Sequence, residues 1–146
     1  QVLLEFKGTS FAAQSKISSF ELWTAQKRKV DTLRFQRGFP PQDKRNEETF
    51  YRVIIAGKVS LLELPAKKIL EEPQLASKLV YRRIQDDPQY FIFFDSQLYP
   101  ISEGEILIPI VYPGKSEQVL EYAKANHVNL LEKGGWESVI RHFNFY

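Results

Sequence analysis

The stretch "IVYPGKSEQVLEYAK", from Ile110 to Lys124, has the outline of a phosphate-binding loop. An apolar, strand-like run enters Gly114-Lys115-Ser116, and a helix-like run leaves it. In a Walker-type loop, with the pattern G-x-x-x-x-G-K-[ST], backbone amides hold the phosphate groups. The first glycine of that pattern falls on Pro109, and Pro113 precedes Gly114. Because proline has no N–H and cannot take the positive φ of glycine, the sequence argues against a nucleotide site.

The two histidines, His127 and His142, are the next candidates for chemistry. Each falls at the end of a predicted helix, and neither has a second His or a Cys nearby in the sequence. A metal site needs three or four converging ligands, whereas a lone histidine at a helix C-terminus interacts favourably with the helix dipole. We therefore predict no metal site and no cofactor.

Nucleophilic and carboxylate chemistry also lacks a recognisable pattern. The sequence has no Cys and no Gly-x-Ser-x-Gly motif, and Ser96 beside Asp95 has the composition of a hairpin turn. The acidic pairs Glu71-Glu72 and Asp86-Asp87 flank proline-containing turns, and adjacent residues on a strand face opposite sides, so we interpret them as solvated acids. No catalytic residue is predicted, although a triad assembled from distant positions stays open.

Aromatic side chains are the remaining candidates, with 11 Phe, 7 Tyr and 2 Trp in the chain. Both faces of the run "YFIFF", residues 90–94, are apolar, so both must be covered. Core packing is the first interpretation. If the chain leaves a face uncovered, that face becomes an interaction surface. The residues of this possible surface are Trp23, Tyr90, Phe91, Phe93, Phe94 and Tyr99.

Composition limits the class of protein. The chain has 146 residues, 43% hydrophobic and 26% charged, which predicts a single globular domain. The net charge of +2, from 20 basic and 18 acidic residues, argues against a nucleic-acid partner. No apolar run approaches the roughly 20 residues that cross a bilayer as a helix, so we do not expect the chain to span a membrane.

The start of the chain bears on location. The sequence has no Met and begins "QVLLEF", without the charged and apolar regions of a signal peptide. Gln1 at a cleavage site fits a mature exported protein, and an excised piece of a longer chain explains the same fact. The absence of Cys excludes disulfides and a lipid-modified N-terminal cysteine.

The first half of the chain predicts antiparallel strands. Strand patterns cover Val2 to Lys7, closed by Gly8, and then Ile17 to Ala25 and Lys29 to Gln36, with a turn at residues 26–28. A proline-rich, charged loop follows from Gly38 to Glu48. The run of residues 50–64 predicts a hairpin, in which Gly57 takes a positive φ.

The second half changes from hairpins to helices. Residues 66–79 are compatible with two short helical turns divided by Pro73, and the runs "VYRRI", "YFIFF" and "LYPI" predict further strands. Ser116 is a candidate N-cap for a helix with one apolar face, and Lys115 beside it is expected to point to solvent. A second helix has the clearest amphipathic period. The two apolar faces are formed by Val119, Leu120 and Ala123, and by Trp136, Val139, Ile140 and Phe143.

Together these patterns predict an α+β fold. We expect an antiparallel, twisted β-sheet of hairpins with a C-terminal helical region packed on one face. The chain forms one domain, residues 1–146, with a β-rich body over residues 1–101 and a helical region over residues 102–146.

The order of the pieces resembles a group of exported, uncharacterised proteins of Bacteroidota. The similarity runs through "VIIAGKVSLLEL", "YFIFFDSQLYPIS", "KSEQVLEYAKANHVNL" and "WESVIRHFN". It covers roughly residues 32–144 and carries no catalytic residues. The resemblance implies a location in the periplasm, at the outer membrane or on the cell surface.

The functional expectation is a non-catalytic binding domain. It would bind a protein or envelope partner as an accessory or structural subunit of a cell-envelope assembly, and it can be a homo- or hetero-oligomer. The alternative is a small hydrolase or carbohydrate-binding protein of the periplasm, which requires a concave pocket with two or three convergent polar residues and a strongly shifted pKa.

Overall fold

The computed structural model describes residues 3–6, 9–12, 17–26 and 29–144. In this part of the chain the strands precede the helices. The strands are β1 (Leu3–Phe6), β2 (Thr9–Ala12), β3 (Ser19–Gln26), β4 (Lys29–Gln36), β5 (Tyr51–Ile55), β6 (Ser60–Leu64), β7 (Lys67–Pro73), β8 (Val80–Asp86), β9 (Gln89–Phe94) and β10 (Gln97–Pro100). A 3₁₀ segment (Ile101–Leu107) then leads into α1 (Ile108–Val111), α2 (Ser116–Ala125) and α3 (Lys133–Phe143).

Six strands form one antiparallel sheet in the order β10-β9-β6-β5-β4-β3. Most neighbours are hairpin partners, and the exception is β6 with β9, because β7 and β8 leave the sheet between them as a separate two-stranded hairpin. The strands β1 and β2 form a second separate pair. This arrangement confirms the predicted α+β fold.

Both faces of the sheet centre are covered. Leu61 lies opposite Ile92, and these two side chains belong to the core against the helices, which we call the helix-side core. The next pair, Leu62 and Phe91, points the other way because successive strand residues alternate between faces. This loop-side core is completed by Tyr51 and by Phe39, which comes from the loop before β5. The alternation of side chains along the strands thus divides the apolar residues between a core under the helices and a core under this loop.

The amphipathic helices pack as predicted. Trp136, Val139 and Ile140 are fully buried in the helix-side core, and the Trp136 indole Nε1–H donates to the Leu130 carbonyl at 2.7 Å. Val119 and Ala123 bury the matching face of α2. The C-terminal helical region therefore covers one sheet face, as the periodicity indicated.

The entry to α2 differs from the prediction. The N-cap position is Lys115 rather than Ser116, and Ser116 instead donates from its hydroxyl to the Tyr112 carbonyl at 3.4 Å. The reason lies in the preceding turn, where Pro113 and Gly114 (φ 79°) close a hydrogen bond from the Lys115 amide to the Tyr112 carbonyl at 3.1 Å. Lys115 is half-buried in this turn and does not extend freely into solvent.

Two further predictions of local structure were wrong. The segment expected to be helical turns before Pro73 is strand β7, and the strand-like run before Gly114 is helix α1, with Pro109 in its first turn. The strand β2 was not predicted at all. The expected turn at residues 26–28 is only partly described, although Gln26 pairs with Lys29 across it. Val2, Lys7 and Gly8 lie outside the described residues.

Gly57 occupies the predicted β5–β6 hairpin for a different reason than expected. It does not take a positive φ. A Cβ at this position would lie 2.6 Å from Asn144 Nδ2, which donates to the Val59 carbonyl at 3.0 Å. A side chain at this position would therefore displace the Asn144 amide from its hydrogen bond with Val59, which fixes the hairpin to the C-terminal region.

Within the described residues, no helix is long and apolar enough to cross a bilayer.

Candidate functional site

Most of the predicted aromatic surface is core. In β9, Phe91 is buried and Phe93 half-buried in the loop-side core. Tyr90 and Phe94 alternate with them and pack half-buried against the helix-side core, where Tyr99 of β10 joins them. The helices cover one face of β9 and the loop before β5 covers the other. These five aromatics therefore do not form one exposed surface.

Trp23 is the exception, since it is 76% exposed on the β3–β4 hairpin. The hairpin pairs along all eight residues of each strand, but β4 pairs with β5 only at Phe35 and Gln36. The rest of the hairpin therefore extends past the six-stranded sheet. Beside Trp23 on the same face lie an ion pair, Arg34 to Glu21 at 3.0 Å, and exposed Val30.

The base of this hairpin is anchored on its other face. Phe20 and Phe35 stack with ring centroids 4.9 Å apart, and Phe50 meets the Phe20 ring edge-on at 5.1 Å. Leu22 and Leu33 lie next along that face. The hairpin is thus fixed to the body at its base, and its far half carries apolar side chains in solvent.

The β7–β8 hairpin has a similar character. On one face, exposed Ile69 lies opposite exposed Ile84. Ion pairs flank these isoleucines, Lys67 to Asp86 at 3.7 Å and Arg82 to Glu71 at 3.1 Å. The acidic pairs noted in the sequence are therefore exposed partners of basic residues, as their interpretation as solvated acids predicted.

Large apolar side chains exposed on these two hairpins are called the hairpin surface. A few other large apolar residues, such as Ile106, are exposed elsewhere in the described chain. The hairpin surface consists of Leu22, Trp23 and Val30 on β3–β4, and of Ile69, Leu75, Leu79, Val80, Tyr81 and Ile84 on β7–β8 and its connecting turn.

A second candidate site is a cavity of about 430 Å³ beside the loop-side core, called the Arg45 cavity. Four parts of the chain meet there: the loop before β5, the start of β9, the junction of β10 with the 3₁₀ segment, and the connection between α2 and α3. Its walls combine polar and apolar groups. They are formed by Gln42, Asp43, Arg45, Pro88, Gln89, Tyr90, Phe91, Pro100, Ile101, Ser102 and Leu131.

A tight backbone turn positions the polar side chains of this cavity. The Gln42 amide donates to the Arg45 carbonyl at 3.2 Å, and the Arg45 amide donates back to the Gln42 carbonyl at 3.0 Å. Asp43, inside this turn, takes a positive φ of 54°, which aspartate tolerates better than most residues. The turn therefore carries Gln42 and Arg45 together to the same cavity.

The Arg45 guanidinium is held in place from two sides. Its Cζ lies 5.5 Å from the centroid of the Phe91 ring, and its Nη2 donates to Gln89 Oε1 at 2.5 Å. Among the described residues, no carboxylate lies within ion-pairing distance of this guanidinium. Arg45 is therefore a fixed, half-buried cation without a described counter-ion.

Two buried polar groups adjoin this cation. Gln42 Oε1 is buried and has no hydrogen-bond partner in the described structure. Burial raises the pKa of Tyr51, with a smaller opposing effect of Arg45 and a smaller reinforcing effect of Asp43. The Tyr51 phenol is therefore neutral at physiological pH, and it does not supply the missing counter-ion.

The histidines take the predicted positions at helix ends. His127 follows α2 with a positive φ of 52°, and the His142 ring stacks on Tyr122 with centroids 4.3 Å apart in the last turn of α3. In the described ranges, no three His, Cys, Asp or Glu side chains come together in a way that could hold a metal.

Sequence reasoning missed the Arg45 cavity. The charged run around Lys44-Arg45 was visible, but Gln89 and Phe91 are more than 40 residues further along the chain, and Ser102 is further still. Only the proximity of Gln42 to Arg45 in a predicted loop was a usable signal.

No protein-family model matches the sequence, and neither a curated protein nor a solved structure shows significant similarity to it.

Proposed function

We propose that this chain is a non-catalytic, exported binding domain that contacts a protein partner through the hairpin surface. It would act as an accessory or structural subunit of a cell-envelope assembly. The observation that carries the proposal is the placement of Trp23, Ile69 and Ile84 on hairpins that extend away from the packed body. Several large apolar side chains exposed on one hairpin, as on each of these two, are typical of interaction sites.

The chemistry of the hairpins supports a protein partner. Tryptophan is among the residues that contribute most to binding at protein interfaces, and Trp23 is held on a strand beside an ion pair. β3 is also the outer strand of the six-stranded sheet. Among the described strands none pairs with its outer edge, which can pair with a strand of another protein and add main-chain hydrogen bonds to the apolar contacts.

The exported location rests on sequence features. The order of its hairpins and helices resembles that of exported proteins of Bacteroidota. A partner in the periplasm or at the outer membrane follows from that location.

The test is a comparison of variants in affinity capture from the envelope fraction, quantified by mass spectrometry. We expect Trp23→Ser, and separately Ile69→Ser with Ile84→Ser, to lower recovery of a specific partner about tenfold or more, as for interface residues that dominate binding. Ile106→Ser removes an equally exposed apolar side chain from the 3₁₀ segment and is the matched control. A partner retained by both hairpin variants, or no specific partner at all, would contradict the proposal.

The alternative function, a small hydrolase or carbohydrate-binding protein, receives support on one point. The Arg45 cavity is concave and has convergent polar side chains. Arg45, Gln42 and Gln89 are groups that recognise a ligand rather than a nucleophile with its base. The cavity therefore favours ligand binding over hydrolysis.

A further inference from the structure

The Arg45 cavity contains a cation whose hydrogen-bonding capacity the described chain leaves partly unused. The Arg45 guanidinium contacts Gln89 and Phe91 but no described carboxylate. Its remaining N–H donors are available to an anion in the cavity. The unpaired acceptor Gln42 Oε1 is fully buried, so it is not open to a ligand.

We propose that the Arg45 cavity binds a small organic carboxylate. The carboxylate pairs with the Arg45 guanidinium. This proposal does not depend on the hairpin surface, which uses other residues.

The geometry of Arg45 favours a carboxylate. Its Nη2 is already held by Gln89 and its plane rests near the Phe91 ring, so the guanidinium loses little freedom when a ligand binds. A guanidinium offers parallel donors that match the two oxygens of a carboxylate. Asp43 also lines the cavity, and its negative charge disfavours a doubly charged phosphate more than a singly charged acid.

The size and walls of the cavity fit a small molecule. Its volume of about 430 Å³ lies within the range of roughly 300–1,000 Å³ found for small-ligand sites. Pro88, Pro100 and Leu131 supply apolar contact around the polar groups.

Two sources share the required chemistry. An N-acylated amino acid, such as the end of a peptide, offers a carboxylate next to an amide N–H. A uronic acid offers a carboxylate next to hydroxyl groups. Both can pair with Arg45, and the experiment separates them by using one probe of each kind.

The test is an NMR titration of the full chain, following backbone amides and the Gln42 side-chain amide. The probes are N-acetylleucine and glucuronate, with N-acetylleucine amide and methyl glucoside as neutral counterparts and sulfate as a simple anion. We expect saturable shifts at Gln42, Arg45, Gln89 and Ser102 with at least one acid. Its neutral counterpart should bind about tenfold more weakly or worse, as expected for loss of a charged hydrogen bond.

Variants test the contact with Arg45. Arg45→Gln should weaken binding of the acid about tenfold or more. Arg34→Gln, an exposed arginine on the β3–β4 hairpin, is the matched control and should leave affinity unchanged. Arg45→Lys keeps the charge but loses the paired donors, so it should bind the acid less tightly than the wild type even if Arg45→Gln does not fold.

The outcomes are decisive in both directions. Preference for N-acetylleucine supports a peptide-like ligand, and preference for glucuronate supports an acidic sugar. The proposal is overturned if neither acid shifts the cavity residues, if sulfate competes equally well, or if Arg34→Gln weakens binding as much as Arg45→Gln. None of these results depends on whether a protein partner binds the hairpins.

Discussion

The packed centre of the molecule and its two hairpins use similar residues in opposite ways. Trp136 in α3 is fully buried, and its indole N–H is bonded to the Leu130 carbonyl. Trp23 in β3 has no such cover and is 76% exposed. The difference is one of topology, because α3 lies across the sheet whereas the far half of β3 extends beyond it.

The strands show the same contrast. In β6 and β9, each cross-strand apolar pair is buried under helices or under the loop before β5. In β7 and β8, apolar pairs such as Ile69 with Ile84 are exposed between ion pairs. Exposed ion pairs contribute little, and an isolated two-stranded hairpin is marginal in water. The apolar side chains on one face of a strand therefore form a core only where another layer of the chain covers that face.

The largest test of this contrast compares the two tryptophans. Trp136→Ala should lower the free energy of unfolding by about 3–5 kcal/mol, because it empties a large buried site. Trp23→Ala should change it by less than about 0.5 kcal/mol. Urea denaturation of both variants measures the two changes in the free energy of unfolding. Similar losses in the two variants would contradict the contrast between the packed centre and the hairpins.

The paired glycines of α3 sharpen the contrast within one helix. A Cβ on Gly135 would lie 1.8 Å from the Asn129 carbonyl oxygen, whereas a Cβ on Gly134 meets nothing within 4 Å. Gly135→Ala should destabilise the protein by about 3 kcal/mol through overpacking.

Gly134→Ala is the control and should stabilise the protein by about 0.5–1 kcal/mol, because alanine favours helix and restricts the unfolded chain. Thermal denaturation of the two variants checks both signs. Destabilisation by Gly134→Ala as large as that by Gly135→Ala would contradict the packing described for the start of α3.

Tyr112 tests the polar side of the helix-side core. Its hydroxyl is buried and without a hydrogen-bond partner in the described structure, and burial raises its pKa. Tyr112→Phe should therefore raise stability at neutral pH by about 1 kcal/mol, because no hydrogen bond is lost and a buried polar group is removed.

The same residue predicts a pH dependence. The unfolded chain ionises Tyr112 near the ordinary pKa of 10.0, while the folded chain keeps it protonated. Below pH 10 both states keep this proton, so Tyr112 adds no pH dependence to stability there. As the pH rises above that value, the unfolded chain loses the proton first and the free energy of unfolding falls. In the wild type, stability should fall by up to about 1.4 kcal/mol per pH unit more steeply than in Tyr112→Phe. Equal slopes in urea titrations would refute this.

The smallest effect is expected on the β7–β8 hairpin. Glu71→Gln removes an ion pair with Arg82 whose side chains are both well exposed. Global stability should change by less than about 0.5 kcal/mol, measured by urea denaturation. A loss above about 1 kcal/mol would mean that this hairpin belongs to the cooperative core and would weaken the distinction between the two regions.

Periodicity predicted the regions that are covered by another layer. The faces around Val119 and Trp136, and the hairpin around Gly57, follow from local spacing. β7 was mistaken for helical turns because Ile69 and Leu70 are adjacent and no buried face imposes alternation on this strand. Its order comes from partners in β8, which no local pattern of β7 can reveal.

The candidate sites were also predictable only where local sequence determines the structure. Of the six aromatics proposed as a surface, only Trp23 is largely exposed, because it lies on the part of the β3–β4 hairpin that extends past β5. The Arg45 cavity depends on contacts between the loop before β5 and β9, and its unpaired groups are visible only once those contacts are known.

The contact between Asn144 and the Val59 carbonyl has a consequence for biosynthesis. The two residues are 85 positions apart, so the sheet face that includes Val59 is translated well before α3 exists to cover it. At roughly 5–20 residues per second, that face waits for several seconds. During this interval the nascent chain exposes the surface on which Trp136 and Ile140 will pack, and apolar surface exposed in this way is prone to aggregation. Completion of α3 ends that exposure.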